Sequence, residues 1–258
     1  MITSEVRNIY FEKTIEKLKS SNLIEGIVQI GSGVIGFSDE LSDIDLMVAA
    51  PRVEDAIVTK NTVYQFLKEF DPIYIKEKQF SDVIFLLIVI LENKLEFNVS
   101  IVPRELLSVK SPLWKVILDK TGLITKKMNS EQEKFENKQV KYDIGIDLPF
   151  EFVYCTIGLD KALRRNNLIY AMGLLETMRT YILYLQAMNE NKKLHQFKAY
   201  DTLETTFVNE YLKTYPESIT LRNLKDSSEK LKVLFEKVLN KSSIFTMETA
   251  LKRLLKIH

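Results

Sequence analysis

The chain has 258 residues, 46% of them hydrophobic and 28% charged, a composition typical of a folded globular protein rather than a disordered or fibrous one. Its 36 basic and 35 acidic residues almost cancel, so no global positive field indicates a protein that grips long nucleic acids. Its longest apolar run is too short to cross a bilayer, so we expect a cytoplasmic protein with no membrane partner, and its length fits two domains.

The first 128 residues alternate predicted helices with predicted strands. Helical spacing of apolar residues predicts helices at residues 4–21 and 53–70. Runs rich in β-branched residues predict strands at residues 27–30, 43–48, 73–75, 83–91, 95–102 and 115–118. The connection at 92–94 is so short that the strands on either side of it are expected to pair antiparallel.

The second half of the chain shows only helical patterns. Polar residues dominate from 129 to 141, which predicts a linker or an exposed helix, and we place the linker at 129–146. Beyond it, helices are predicted at residues 150–165, 168–188, 198–214, 220–240 and 244–256. The predicted fold class is therefore α+β: an N-terminal domain at 1–128, with a mixed sheet and flanking helices, followed by an all-α helical bundle at 147–258.

Two carboxylates share one face of the second predicted strand. Side chains two residues apart in a strand point the same way, so Asp43 and Asp45 project together, while Ile44 and Leu46 project to the other face. Burying two neighbouring acids is costly unless a cation lies between them, and carboxylate oxygens suit Mg²⁺, which takes its other ligands from water and substrate phosphates. The pair predicts a magnesium site and a polyphosphate substrate.

The strand at 95–102 offers a third acid. Its odd-numbered positions are apolar, and its even-numbered positions are Glu96, Asn98 and Ser100. If this strand lies beside the Asp43 strand, Glu96 completes a three-acid site, either as a metal ligand or as the general base that accepts the proton of an acceptor hydroxyl. Asn98 can contribute an oxygen but no charge.

A glycine-rich loop follows the first predicted strand. Gly31 lets the backbone approach a ligand closely, and backbone N–H groups together with the Ser32 hydroxyl can hold phosphate oxygens. Phosphoryl transfer needs little more from a protein than in-line positioning and neutralisation of charge. The loop and the acids therefore predict a site for a triphosphate with two Mg²⁺ ions.

The order of these motifs, Gly31-Ser32, then Asp43-Ile44-Asp45 eleven positions after Ser32, then a later acid in a strand, resembles the signature of the DNA polymerase β-type nucleotidyltransferase superfamily. The segment 115–122 and the appended helical domain make the chain similar to the antibiotic nucleotidyltransferases that adenylylate aminoglycosides or lincosamides. The motifs cover residues 24–122, and the helical half supports the resemblance by architecture alone.

The resemblance implies a role for each matching position. Gly31 and Ser32, together with Ser42, bind the triphosphate; Asp43 and Asp45 bind the magnesium ions; and Glu96 is the third acid and a metal ligand. One departure leaves an alternative open: if the strand is aligned on Pro103 rather than on residues 93–94, the third-acid position becomes Asn98. An amide cannot act as a base, so that alignment would indicate weakened or lost transfer. We favour Glu96.

The reaction expected from the resemblance moves a nucleoside monophosphate, AMP from ATP, to a hydroxyl of a small acceptor and releases pyrophosphate. An aminoglycoside or a lincosamide would make the protein an antibiotic-resistance enzyme. Two alternatives remain: a transferase acting on a protein or RNA, and a non-catalytic nucleotide-binding regulatory module. The near-neutral charge of the chain argues against RNA as the acceptor. The sequence specifies neither the acceptor nor the oligomeric state.

Other features have simpler interpretations. Gly31, Gly33 and Gly36 also fit the dinucleotide motif G-x-G-x-x-G, but that motif must open a helix and only six residues separate Gly36 from Asp43. The acid pair could also be the solvated face of an edge strand, although the preceding loop and the third acid favour a site. Cys155, the one cysteine, lies in an apolar stretch and is predicted to be a buried structural thiol.

Three further features concern the helical half and the last strand. Glu176 and Arg179 either form a structural ion pair or contribute an acid to an acceptor cleft. The twin basic residues at 164–165 are expected to favour the end of a helix rather than to bind phosphate. Trp114 is predicted to lie in the core or at a domain interface.

Overall fold

The computed structural model describes residues 3–35, 42–193, 200 and 202–256, and these have the predicted α+β fold. The chain divides into two compact units, Met1–Lys138 and Gln139–His258. In the described residues the first unit contains a six-stranded sheet with three α-helices, and the second contains α-helices without a strand.

The first unit follows the predicted order of elements. Its strands are β1 Gly26–Ile30, β2 Ile44–Ala50, β3 Tyr74–Ser81, β4 Ile84–Ile90, β5 Glu96–Pro103 and β6 Trp114–Asp119. Its α-helices are α1 Ser4–Lys19, α2 Ala56–Lys68 and α3 Leu123–Glu136. A short 3₁₀ helix, Gly31–Ile35, follows β1 directly.

The six strands form one mixed sheet in the order β3-β4-β5-β2-β1-β6. β2 and β5 run parallel, and the other neighbouring pairs run antiparallel, including the predicted pair β4–β5. Since parallel neighbours begin at the same edge of a sheet, the strands that carry the candidate acids start side by side.

One face of the sheet forms the core of this unit together with α1 and α2. Along β4 and the first part of β5, every second side chain is buried on this face. The core consists of Ile15, Leu18, Ala56, Val63 and Leu67 from the helices, of Ile27, Ile44, Leu46, Val48, Phe85, Leu87, Val89, Phe97, Val99 and Ile101 from the strands, and of Ile24, Leu91 and Leu95 from the connections. The candidate acids, at the alternate positions, are thereby directed to the opposite face.

Helix α3 packs on that opposite face, over β1 and β6. A Cβ at Gly26 would lie 2.5 Å from Cγ1 of Ile124, so the glycine allows the helix to approach β1 closely. The indole N–H of Trp114 donates a hydrogen bond of 2.7 Å to Oε1 of Gln132. Trp114 is therefore half-buried within the first unit, beneath α3.

The end of α3 overlaps the predicted linker. Residues 129–136 are helical and belong to the first unit, and Met128 and Phe135 bury their side chains with Ile124. Only these three positions of the helix are buried, so its exposed polar residues mask the helical pattern in the sequence.

The second unit consists of helices in its described part. They are α4 Leu148–Arg164, α5 Leu168–Asn189, α6 Thr205–Leu212, α7 Leu221–Leu239 and α8 Thr249–Lys256. The helices predicted at 198–214 and 244–256 are shorter there, and part of the first falls outside the described residues. Phe152 and Phe235 stack in the core with ring centroids 3.8 Å apart. Within the described residues, no helix combines the length and apolarity needed to span a membrane.

Cys155 is a free, buried thiol on α4, as predicted. Burial, followed by the nearby charge of Glu151, raises the pKa of the thiol above its ordinary value. A raised pKa leaves little thiolate at neutral pH, so the residue packs as a small apolar side chain rather than acting as a nucleophile.

Candidate active site

The carboxylate of Asp45 lies against the backbone of Gly31. Gly31 follows β1 directly and has a φ of +77°, and a Cβ there would be 2.8 Å from Oδ2 of Asp45. The glycine is thus required twice, for a left-handed backbone and for the space that the carboxylate occupies. Two predicted site residues, one from the loop and one from β2, are in direct contact.

Asp43 immediately precedes β2 and is held by a buried arginine. Arg7 of α1 is 3% exposed; its Nε donates to the carbonyl of Ser42 at 2.8 Å, and its Nη2 donates to the carbonyl of Asp43 at 2.6 Å. The guanidinium therefore fixes the backbone from which the Asp43 carboxylate projects. It also places a positive charge beside the backbone of Asp43.

Glu96 and Asn98 lie on the same sheet face as the aspartates. In the parallel register, Asn98 is opposite Asp45 and Phe97 is opposite Ile44. Glu96 and Asp43 each precede the Phe97–Ile44 pair by one residue, so they are level with each other across the two strands. The half-buried side chains of Glu96 and Asn98 alternate with buried apolar ones.

The predicted phosphate-binding residues lie in the segments that lead into β2 and out of β1. Ser42 is buried, and its carbonyl accepts from Arg7. Ser32 lies in the 3₁₀ helix after Gly31, and its side chain is outside the described part. Gly33 packs closely against the side chains of Gln29 and Arg7, where a Cβ would be 2.7 Å from the Gln29 amide nitrogen.

The strand pairing excludes the dinucleotide-binding interpretation of the glycines. That motif belongs to a βαβ unit, in which consecutive strands are parallel and joined by a helix. Here β1 and β2 are antiparallel neighbours, and a 3₁₀ helix of five residues follows β1. Gly36 itself lies outside the described residues.

The oxygen donors on this sheet face suit Mg²⁺, a hard cation that prefers carboxylates. Among the described residues, no three His, Cys, Asp or Glu side chains converge as a ready-made metal cluster. Mg²⁺ ordinarily keeps several waters and takes other ligands from substrate phosphates, so one or two carboxylates are sufficient protein ligands. The residues present therefore fit the expected ion.

Glu176 and Arg179 pair with each other on α5. Arg179 is fully buried; Nη1 donates to Oε1 of Glu176 at 2.6 Å, while Nε and Nη2 donate to the hydroxyl and the carbonyl of Thr214 at 3.1 and 2.8 Å. The guanidinium also lies 4.0 Å from the ring centre of Tyr215. These contacts support the structural ion pair. Arg164 likewise pairs with Asp160 at 2.9 Å on α4.

Sequence comparison identifies the family. A family described as streptomycin adenylyltransferase matches residues 12–249, nearly the whole chain. The chain belongs to this family. It is therefore a nucleotidyltransferase, and the resemblance drawn from the Gly31-Ser32 and Asp43-Ile44-Asp45 motifs is confirmed. Family membership implies a nucleoside triphosphate as co-substrate, Mg²⁺ as the usual metal and a small acceptor.

Solved structures include several to which the chain is similar. An aminoglycoside 6-adenyltransferase from Bacillus subtilis shares 16% identity with a TM-score of 0.40, covering 99% of this chain and 97% of that chain. A nucleotidyltransferase-like protein from Exiguobacterium sibiricum 255-15 shares 12% identity with a TM-score of 0.43, covering 91% and 74%. A chain of the GLD-2/RNP-8 complex shares 12% identity with a TM-score of 0.30, covering 96% and 70%. No curated protein matches the chain.

Arg7 is the site residue that the sequence analysis missed. A signal was present: Arg7 lies on the helical stripe that continues through Phe11, Thr14 and Leu18, which are buried or partly buried. A charge on the buried stripe of an amphipathic helix needs hydrogen-bonding partners, which makes it a candidate for holding a site.

Proposed function

We propose that this chain transfers AMP from ATP to a hydroxyl group of a small acceptor and releases pyrophosphate. The proposal rests on the parallel register of β2 and β5, in which Asp43, Asp45 and Glu96 occupy one sheet face beside the Gly31 loop. Membership in the streptomycin adenylyltransferase family supports the class of reaction.

Each site residue has one task in this reaction. Asp43 and Asp45 hold Mg²⁺, and the loop at Gly31 and Ser32, with Ser42, binds the triphosphate through backbone N–H groups and hydroxyls. When bound, the metal neutralises charge on the phosphates during an in-line displacement. Glu96 accepts the proton of the acceptor hydroxyl while the oxygen of that hydroxyl forms a bond to the α-phosphorus of the triphosphate. The bond from that phosphorus to the bridging oxygen breaks, and pyrophosphate leaves.

The chemistry of its side chain, rather than the register, favours Glu96 over Asn98 as the third acid. Asn98 lies directly opposite Asp45, and Glu96 is level with Asp43, so both are close to the metal-binding strand. Only a carboxylate can take up a proton or balance a cation's charge, whereas an amide offers a neutral oxygen. Glu96 is accordingly the general base, and Asn98 is a neutral neighbour.

Pyrophosphate release tests these assignments. With Mg-ATP and an acceptor, Asp45→Asn and Glu96→Gln should each lower kcat/KM by at least about 100-fold, because each removes a charge from the reacting centre while conserving shape. Asn98→Ala should lower it by less than about tenfold. Glu92→Gln, in the exposed β4–β5 turn, serves as the matched control. Unchanged release by Asp45→Asn would show that the metal site lies elsewhere, and a larger loss in Asn98→Ala than in Glu96→Gln would reverse the third-acid assignment.

The acceptor is sought among hydroxylic small molecules, beginning with aminoglycosides such as streptomycin and with lincosamides such as lincomycin. Transfer is read as pyrophosphate release together with a mass gain of one AMP on the acceptor. Release that requires RNA or a protein instead would favour the macromolecular alternative. Mg-ATP binding, seen as a raised Tm, without release for any acceptor would favour a non-catalytic nucleotide-binding module.

A further inference from the structure

The loop after β1 contacts both faces of the sheet within three residues. Gly31 lies against Oδ2 of Asp45, on the face that carries the acids. Gly33 lies against the side chains of Gln29 and Arg7. Alternation along β1 places Gln29 on the core face, and α1, which carries Arg7, packs on that same face. The loop therefore turns around the end of the sheet between Gly31 and Gly33.

Gly33 provides space rather than backbone freedom. Its φ lies outside the left-handed region. A Cβ at this position would be 2.7 Å from the amide nitrogen of Gln29 and 3.5 Å from Nη2 of Arg7. The second distance is an ordinary contact, but the first is far inside the range at which carbon and nitrogen atoms pack. Any side chain at position 33 would therefore displace the amide of Gln29 from its place against the loop.

Arg7 connects this contact to the segment that carries the first aspartate. The nitrogen that lies near Gly33, Nη2, also donates to the carbonyl of Asp43 at 2.6 Å, and Nε donates to the carbonyl of Ser42 at 2.8 Å. One guanidinium thus contacts the loop and holds the segment that leads into β2. Because a guanidinium is planar and rigid, it fixes the spacing between the two segments.

We infer that Gln29 and Arg7 form a clamp that holds the triphosphate loop at Gly33 and sets its spacing from Asp43. The inference rests on the proposed function, in which this loop binds the triphosphate, and it adds Gln29 and Gly33 as positioning residues. Both act through the backbone of the loop. A loop that is already ordered binds phosphate oxygens without a further cost in entropy, so loss of the clamp weakens nucleotide binding.

Simple packing beneath the loop makes a different prediction. If Gln29 only fills space, its removal lowers the melting temperature and leaves the nucleotide affinity unchanged. The clamp predicts the reverse. The amide is the movable end of a half-buried side chain, so its displacement changes stability little, whereas the loop loses its fixed position.

Three variants test the clamp through binding of α,β-methylene-ATP with Mg²⁺. Gly33→Ala displaces the amide and Gln29→Ala removes it, so each should raise the Kd about fivefold. The double variant Gly33→Ala/Gln29→Ala should also raise the Kd about fivefold rather than about 25-fold, because both changes abolish the same contact. The Tm of each variant without nucleotide should stay within about 2 °C of the wild type.

Pyrophosphate release adds a kinetic readout. The KM for Mg-ATP should rise about fivefold in each of the three variants, whereas the KM for the acceptor should not change. Two matched controls carry the same substitutions elsewhere. Gly173→Ala changes a helical glycine with open space around it, and Gln79→Ala changes an exposed glutamine of the edge strand β3. Both controls should bind the nucleotide as the wild type does.

The possible results separate the clamp from the proposed function. Single variants that bind the nucleotide as tightly as the wild type, or a double variant whose Kd rises by the product of the single effects, would overturn the clamp and leave the proposed function standing. A wild type that binds no nucleotide would overturn both. If the Kd values follow the expected pattern but no acceptor supports release, the clamp stands and the proposed transfer reaction fails.

Discussion

Arg7 acts on the site through the backbone of another segment. Its fork of N–H donors satisfies two carbonyls at once, and one of these hydrogen bonds is buried. Burial of a guanidinium is favourable only when its donors are engaged, so the arginine and the segment that carries Asp43 stabilise each other. Arg7 is thus a positioning residue for the first aspartate.

Replacing Arg7 with methionine should weaken both folding and metal-dependent nucleotide binding. Two carbonyls lose their donor, which costs about 1–3 kcal/mol of unfolding free energy, and Asp43 loses its fixed backbone. Binding of α,β-methylene-ATP, a nucleotide that cannot transfer AMP, is followed by thermal shift at increasing Mg²⁺ concentrations. We expect the Mg²⁺ concentration that gives half of the maximal shift to rise by about tenfold. Arg7→Lys should restore part of this loss, because one ammonium replaces only part of the fork.

The control variant Thr14→Val separates the effect of Arg7 on folding stability from its effect on the Mg²⁺ requirement. Thr14 is buried on the same helix, and its hydroxyl donates to the carbonyl of Tyr10 at 2.7 Å, far in sequence from Asp43. This variant should lose stability without a change in the Mg²⁺ requirement. An equal Mg²⁺ shift in both variants would mean that Arg7 stabilises the fold without positioning Asp43.

At the scale of elements, the start of α3 depends on the carboxylate of Asp119, the last residue of the preceding strand β6. Asp119 accepts hydrogen bonds from the backbone N–H groups of Gly122 and Ile124 and from both the N–H and the hydroxyl of Thr125, at 2.7–3.4 Å. Burial raises the pKa of this carboxyl. The hydrogen bonds, first those from Thr125, together lower the pKa by more than burial raises it, so the pKa lies below its ordinary value.

The lowered pKa gives the helix start a defined pH dependence. A carboxyl whose pKa is depressed by folding stabilises the protein fully above its unfolded pKa, and this contribution is lost as the pH falls through the folded pKa. Asp119→Ala should therefore lower the unfolding free energy by about 1–2 kcal/mol at pH 7. The difference from wild type should shrink below about pH 4.

Urea unfolding at several pH values measures this difference. Asp160→Ala serves as the control, since Asp160 forms an exposed ion pair within a helix and caps no N-terminus. If the unfolding free energies of the wild type and of Asp119→Ala differ by the same amount from pH 7 to pH 3, the charge of the carboxylate does not stabilise α3.

The edge strand β3 shows how context limits prediction of elements. The sequence predicts a strand at 73–75, but β3 extends over Tyr74–Ser81. Its last six residues are mainly charged or polar and nearly all exposed, so no alternation of apolar side chains marks them. Backbone hydrogen bonds to β4 extend this strand, and that pairing is not encoded by the local pattern.

At the scale of the whole molecule, we propose that the two compact units are separate folding domains, with α3 belonging to the first. Trp114, the only tryptophan, hydrogen-bonds to Gln132 of α3, so its fluorescence reports on that helix. A fragment of residues 1–138 should unfold cooperatively. A fragment of 1–128, cut at the domain end predicted from sequence, lacks Gln132 and the buried Phe135 and should be less stable by about 3 kcal/mol.

Urea unfolding followed by tryptophan fluorescence compares the two fragments. Gln132→Ala in the longer fragment isolates the hydrogen bond from the burial of Phe135 and should cost about 1 kcal/mol. Equal stability of both fragments would place the domain boundary at 128 and make the second half of α3 part of a linker.

The sequence by itself determined the α+β class, the order of the strands along the chain and the loop-plus-acids motif. These features depend on periods of two and 3.6 residues and on short spacings, which neighbouring residues specify. Even the sharing of one face by Asp43 and Asp45 follows from alternation within one strand.

Only the tertiary structure decided which distant segments meet. The parallel pairing of β2 with β5 sets Glu96 level with Asp43, and the fold brings Arg7 from α1 to the carbonyls of Ser42 and Asp43. Both contacts join residues far apart in the chain. Their energy comes from the packing of a shared core and from backbone hydrogen bonds between strands, which no local pattern of side chains specifies.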